Sequence, residues 1–152
     1  MRVGIDSYSY HRLLGEIRPG ERDPGTRLSG AGQLIAEMLD AGAEVLSLET
    51  VFLDAPGRVD AGALREALDG REPAIAWGHP LGLEWGTRPE MLADLLAWIE
   101  LAPALGARIV RCVAAGPALA AAPRPRRTRQ TAEALRTAEA HARRNGVALA
   151  LE

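Results

Sequence analysis

Apolar positions along the chain follow two alternating spacings. Four segments repeat them at the three- and four-residue intervals of a helix face: Leu34, Ile35, Met38 and Leu39; then Leu64, Ala67 and Leu68; then Met91, Leu92, Leu95, Leu96 and Ile99; and finally an alanine-rich stripe at Ala132, Leu135 and Ala142. Asp60 stands where the second helix needs a cap, and Thr87-Arg88-Pro89-Glu90 reads as a capping box with proline in the first turn of the third. The fourth runs from about Thr128 to Asn145, with Gly146 placed to end it. Between these helices, short continuous apolar runs predict buried strands from Arg2 to Asp6, Glu44 to Leu48, Ala74 to Trp77, Arg108 to Cys112 and Val147 to Leu151.

Each of the last four runs follows a glycine, at Gly42, Gly70, Gly106 and Gly146, spaced 28, 36 and 40 residues apart. One β/α unit therefore recurs without exact repetition of sequence. Strand alternating with helix predicts an α/β fold with a parallel sheet and right-handed crossovers. Five strands and four helices fit either a doubly wound domain or the first part of an eight-stranded (βα) barrel, which takes about 250 residues when complete.

Composition narrows the class. With 152 residues, 47% of them hydrophobic, and a formal net charge of -2, the chain is expected to be soluble and globular, with no bulk field to hold nucleic acid or an acidic membrane. Cys112 is the single cysteine, which excludes an internal disulfide or a cysteine-rich zinc site. Strand-like residues follow Met1 at once, leaving no room for a signal peptide, and the longest apolar stretch, Cys112 to Ala122, is broken by Gly116 and Pro117. These features predict a cytoplasmic protein. All 18 basic residues are arginine, so the chain itself has neither a Schiff-base lysine nor a P-loop lysine. Gly30-Ala31-Gly32 lacks the third glycine of a dinucleotide fingerprint, and no serine-hydrolase elbow is present.

In either architecture the C-terminal ends of the strands form the functional edge. Asp6, Ser7 and Tyr8 close the first strand, Glu49 the second, His79 the third, Arg111 and Cys112 the fourth, and Glu152 the fifth. Any one of these is explained by a strand end meeting solvent; acid or imidazole at four of five ends argues for a site. The long segment from about Ser9 to Arg27, carrying Tyr10, His11, Arg12, Glu16 and Arg18, reads either as a flap over that site or as an unstructured insertion. His79, in Trp77-Gly78-His79-Pro80-Leu81 and near Trp85, is as consistent with a structural histidine as with a binding one. Trp98 reads as core and His141 as solvated surface. The run from Pro123 to Arg129 reads as a basic loop opening the fourth helix, solvated or facing a phosphate.

The ordered set Val3-Gly4-Ile5-Asp6-Ser7-Tyr8-Ser9-Tyr10-His11, Leu46-Ser47-Leu48-Glu49, Gly78-His79-Pro80, Gly106-Ala107-Arg108 and Val147-Ala148-Leu149-Ala150-Leu151-Glu152 resembles the strand signatures of the xylose-isomerase-like TIM barrels. The resemblance implies a partial barrel, residues 1–152 forming the N-terminal part of one domain that stops after strand five. It implies a sugar or sugar-phosphate isomerase or epimerase, with proton transfer next to a carbonyl through a metal-stabilised enediolate. In that family the fifth strand ends in a glutamate that ligates a divalent metal, the position of Glu152, which is thereby the expected ligand and proton-transfer group. The remaining ligands come from later strands, so the 152 residues alone are expected to bind metal weakly. Asp6, Tyr8, His11, Glu49 and His79 are the expected substrate contacts. Manganese, magnesium or cobalt fits such a site better than zinc. The alternatives are a nuclease like endonuclease IV, which calls for more histidines at strand ends, and a non-catalytic half-barrel module that forms a homo-oligomer to cover its sheet edges.

Overall fold

The computed structural model describes residues 3–79, 82–83, 86–114 and 124–152, the last segment without the side chains of residues 124 and 125. Five strands alternate with four helices: β1 (Gly4–Asp6), α1 (Ala31–Asp40), β2 (Val45–Glu49), α2 (Ala61–Ala67), β3 (Pro73–Trp77), α3 (Pro89–Leu101), β4 (Ile109–Cys112), α4 (Arg124–Arg144) and β5 (Ala148–Leu151). All pairings are parallel and the sheet order is β1-β2-β3-β4-β5. A doubly wound sheet would place β1 between β2 and β3, so sequential order makes this a partial TIM barrel.

Strand periodicity divides the side chains between two faces. Leu46 and Leu48 of β2, Ile75 and Trp77 of β3, and Val110 and Cys112 of β4 are fully buried with Leu34, Ile35 and Met38 of α1 and Leu95, Trp98 and Ile99 of α3. The opposite face carries Asp6, Ser47, Glu49, Ala76 and Arg111, the residues that build the site. Trp77 crosses toward α3, where its Nε1–H donates to Asp94 Oδ2 at 2.7 Å, satisfying the one polar atom of a buried indole.

Asp60 caps α2 as expected, accepting from the Ala63 N–H at 3.0 Å. Gly146 ends α4 with φ of 68°, a left-handed value open to glycine without penalty, while the Val147 N–H reaches back to the Ala142 carbonyl. Three expectations about helix ends and stripes are corrected. At α3 the cap position belongs to Arg88, one residue later than a Thr87 capping box requires, and it makes no side-chain cap bond; Pro89 starts the helix by its fixed φ. Helix α4 begins at Arg124, so the basic run lies on its first turns and not in a loop. Its buried stripe is Thr131, Ala134, Ala138 and Ala142, where small side chains let it approach α3 closely.

His141 is not solvated: it is half-buried between these helices, with Nε2 at 2.9 Å from Glu100 and Nδ1 at 3.0 Å from Arg144. Trp98 is core, as expected. Among the described residues no helix is long and apolar enough to cross a membrane. Pro80, Leu81, Trp85, Gly116, Pro117 and Pro123 lie outside the described residues.

Candidate functional site

Polar residues collect where the strands end. Asp6 closes β1 and turns the chain into a 3-10 turn over Ser7–Tyr10, its Oδ1 accepting from the Tyr8 N–H at 2.8 Å. Its Oδ2 accepts from Ser47 Oγ at 2.6 Å, a bond that follows from Asp6 and Ser47 being register partners. Strand β2 continues two residues beyond that pair, so the Glu49 N–H has outrun β1; the buried Ser7 hydroxyl accepts from it at 2.7 Å.

Glu49, Ala76 and Arg111 stand in one row across three strands, because Glu49 is in register with Ala76 and Ala76 with Arg111. Arg111 passes over the alanine methyl and pairs with Glu49. Its other terminal nitrogen pairs with Glu152, and Asp6 Oδ2 lies 3.8 Å from the guanidinium. One cation thus gathers carboxylates from β1, β2 and the end of β5. Gly78 leaves room for this arrangement: a Cβ at that position would overlap the Glu49 carboxylate, which would have to shift. Burial pushes the Glu49 carboxyl above its ordinary value, the attraction of Arg111 opposes that rise, and the Asp6 charge adds to it.

The segment after β1 is ordered by its own polar contacts, which favours the flap reading over an unstructured insertion. Tyr8 stacks on His11 with centroids 4.9 Å apart and donates its hydroxyl to Glu16 at 2.7 Å, while Arg18 lies over its ring at 4.9 Å. Burial, followed by the Glu16 bond, raises the Tyr8 phenol. His11 Nδ1 faces the Tyr8 carbonyl at 2.8 Å and Nε2 faces Glu21 at 3.0 Å.

A cavity of about 440 Å³ results, lined by Asp6, Tyr8, Ser9, His11, Glu49, Arg111 and Glu152. The structure therefore brings five of the six expected site residues together. His79 is not among those lining this cavity; it stacks on Trp77 with centroids 5.9 Å apart. Sequence reasoning placed Arg111 at the functional edge but gave it no role, although a guanidinium inside the apolar run Ile109-Val110-Arg111-Cys112 signals a buried acidic partner. Ser7 and Ser47, which fix Glu49 and Asp6, carry no comparable signal.

Among the described residues no three His, Cys, Asp or Glu side chains are grouped to hold a metal ion. Glu152 has the hard oxygen chemistry a divalent cation wants and stands at the cavity mouth, so it fits as one ligand; the donor set of the described residues does not close a site around it.

No protein-family model matches the chain, and no curated protein matches it by sequence. Solved structures do match. An L-ribulose 3-epimerase shares the fold with a TM-score of 0.71 and 24% identity, over 99% of this chain and 48% of that one. A D-allulose 3-epimerase from Methylomonas sp. matches with a TM-score of 0.63 and 18% identity, over 99% of this chain and 51% of its own. The same enzyme in complex with D-allulose matches with a TM-score of 0.62. The likeness is one of fold, a partial TIM barrel, and this chain spans about half the length of those enzymes.

Proposed function

We propose that the protein carrying this half-barrel is a divalent-metal-dependent sugar isomerase or epimerase that moves a proton at the carbon beside a carbonyl. The observation that supports this most is the convergence of Asp6, Glu49 and Glu152 on Arg111 at the C-terminal edge of a sheet shared with sugar 3-epimerases. A cation such as manganese, magnesium or cobalt supplies, when bound, polarisation of the carbonyl and the neighbouring hydroxyl. In this reading Glu152 is the ligand from this chain and the carboxylate that takes the proton. Asp6 and Glu49 accept hydrogen bonds from sugar hydroxyls, and Tyr8 and His11 close one side of the cavity.

Charge favours a free sugar over a sugar phosphate. Three carboxylates and one guanidinium line the cavity, and the guanidinium is already shared among the carboxylates. A bound divalent cation brings this wall close to neutral, so the lining offers a phosphate no surplus positive charge, whereas a free sugar needs none. The nuclease reading, which calls for several histidines at strand ends, finds only His11 among the described residues that line this cavity.

The test is proton washout. The protein expressed from its complete gene is incubated in D2O with a panel of free ketoses and manganese, magnesium or cobalt, and loss of the proton beside the carbonyl is followed by NMR. Exchange is expected with at least one free ketose and is lost in Glu152→Gln. No exchange with any ketose and any of the three metals overturns the proposal.

A further inference from the structure

We propose that the half-barrel carries a second binding site, for a free oxyanion of the phosphate class, at the edge of the sheet opposite the cavity already described. The site lies where β3 and β4 begin. Gly70, Arg71 and Glu72 lead directly into β3 at Pro73, and Gly106 and Arg108 lead into β4 at Ile109; the two turns stand side by side because these strands pair. Arg65 comes from α2, and its guanidinium reaches the second turn: a Cβ on Gly106 would lie 3.4 Å from Arg65 Nη1. A cavity of about 130 Å³ results, whose charged lining is three arginines and one glutamate.

The helix ends do not account for these arginines. Arginine near a helix C-terminus ordinarily bonds the last carbonyls. Here backbone groups take them: the Leu68 N–H donates to Leu64, the Asp69 N–H to Glu66, and the Gly106 and Ala107 N–H groups to Pro103 and Ala102. Among the described residues only Arg108 of the three has a carboxylate partner, Glu72 at 3.3 Å. Arg65 and Arg71 share the cavity without one, a like-charge repulsion that a bound anion relieves. Glu66 and Asp69, at the same helix end, do not line it. Gly70 does, and its N–H has no backbone acceptor among the described residues, which leaves a neutral donor beside the guanidiniums.

Volume and charge together choose the ligand. The cavity has the space of roughly four waters at about 30 Å³ each, enough for one tetrahedral oxyanion and too little for a nucleotide or a peptide. Guanidinium forks match phosphate oxygens. Only the folded chain brings Arg65, Arg71 and Arg108 together, so the anion stabilises the fold according to its occupancy, tying the end of α2 to both turns.

The site is independent of the proposed chemistry, and binding is read with neither sugar nor metal present. Inorganic phosphate is titrated into the complete protein by calorimetry at constant ionic strength, so that screening is not read as binding. One saturable site is expected. Arg65→Gln and Arg71→Gln should each weaken it at least about fivefold, the loss of one charge-assisted hydrogen bond. Glu72→Gln, which removes the acid from the lining, should tighten it, and Arg126→Gln, in the basic first turns of α4, should leave it unchanged. No saturable binding, unchanged affinity in Arg65→Gln or Arg71→Gln, weaker binding in Glu72→Gln, or an equal loss in Arg126→Gln overturns the inference. Glycerol phosphate separates a free ion from the head of a larger molecule: it should bind no more tightly than inorganic phosphate, and a preference for the ester overturns the assignment to a free oxyanion. Should the variants fail to fold, the wild-type protein answers by NMR. The Gly70 and Gly106 amide signals should move with phosphate concentration; movement confined to the residues of the strand-end cavity overturns the inference.

Discussion

Arg111 on β4 reaches Glu49 on β2 by crossing Ala76 of the intervening strand. The two charged residues are 62 positions apart in sequence, and the register places them in one row with the alanine between them. Ala76 is fully buried yet stands outside the apolar core formed with the helices, because the ion pair itself covers it.

The first prediction follows from that crossing. Ala76→Leu would put a branched side chain in the path of the guanidinium, and overpacking of this kind costs about 1–3 kcal/mol. Chemical denaturation should show that loss, and the Glu49 carboxyl 13C signal should shift as Arg111 moves off it. Wild-type stability together with an unmoved Glu49 signal would show that Arg111 does not need the gap.

Gly78→Ala should be at least as damaging to the site. The new methyl has no room beside the Glu49 carboxylate, which has to leave its place against Arg111. A destabilisation of about 1–3 kcal/mol is expected. Glu49→Ala in the same background should restore part of it, since the clash then has no partner. A double-mutant cycle with no coupling between the two positions contradicts the packing described here.

Cys112 is fully buried, and burial pushes its thiol up to about 11 from an ordinary value of 9.0, with the Arg111 charge opposing. A folded-state value raised in this way means that the unfolded chain loses its thiol proton first. Stability contributed by this group is complete below the ordinary thiol value and falls as pH rises toward the folded value, by about 1.4 kcal/mol per pH unit within the window. Cys112→Ala should flatten the decline in urea midpoint between pH 9 and 11. Iodoacetamide at pH 8 should modify the thiol only on the timescale of unfolding; rapid labelling of the native protein would contradict its burial.

The bond from Trp77 to Asp94 ties β3 to α3 below the site. Asp94→Ala leaves the buried indole N–H without an acceptor, at a cost of about 1–3 kcal/mol. Asp94→Asn keeps an acceptor oxygen and should cost less. Equal losses in thermal denaturation would mean that the charge of Asp94, not its hydrogen bond, is what matters.

Much of this architecture is written locally. The change between continuous apolar runs and three-to-four spacing located all five strands and all four helices, because the period of a pattern reports which side of an element is buried. Glycine before each of the last four strands and Asp60 before α2 marked boundaries for the same local reason. The positions of Asp6, Glu49 and Glu152 at strand ends were legible too, since an acid directly after an apolar run has nowhere to go but the edge of the sheet. Periodicity is silent, however, about neighbours. That β1 lies at the edge beside β2, and that Glu49, Ala76 and Arg111 share a row, depend on strand order and register, which couple residues far apart in the chain. His141 shows the same limit on a helix: its flanking charges suggest solvent, and the packing of α4 on α3 half-buries it against Glu100. His79 sits at a strand end like the acids, yet it stacks on Trp77 and is not among the residues lining the cavity. A side chain's face follows from local backbone geometry, whereas its partner follows from where the rest of the chain is packed.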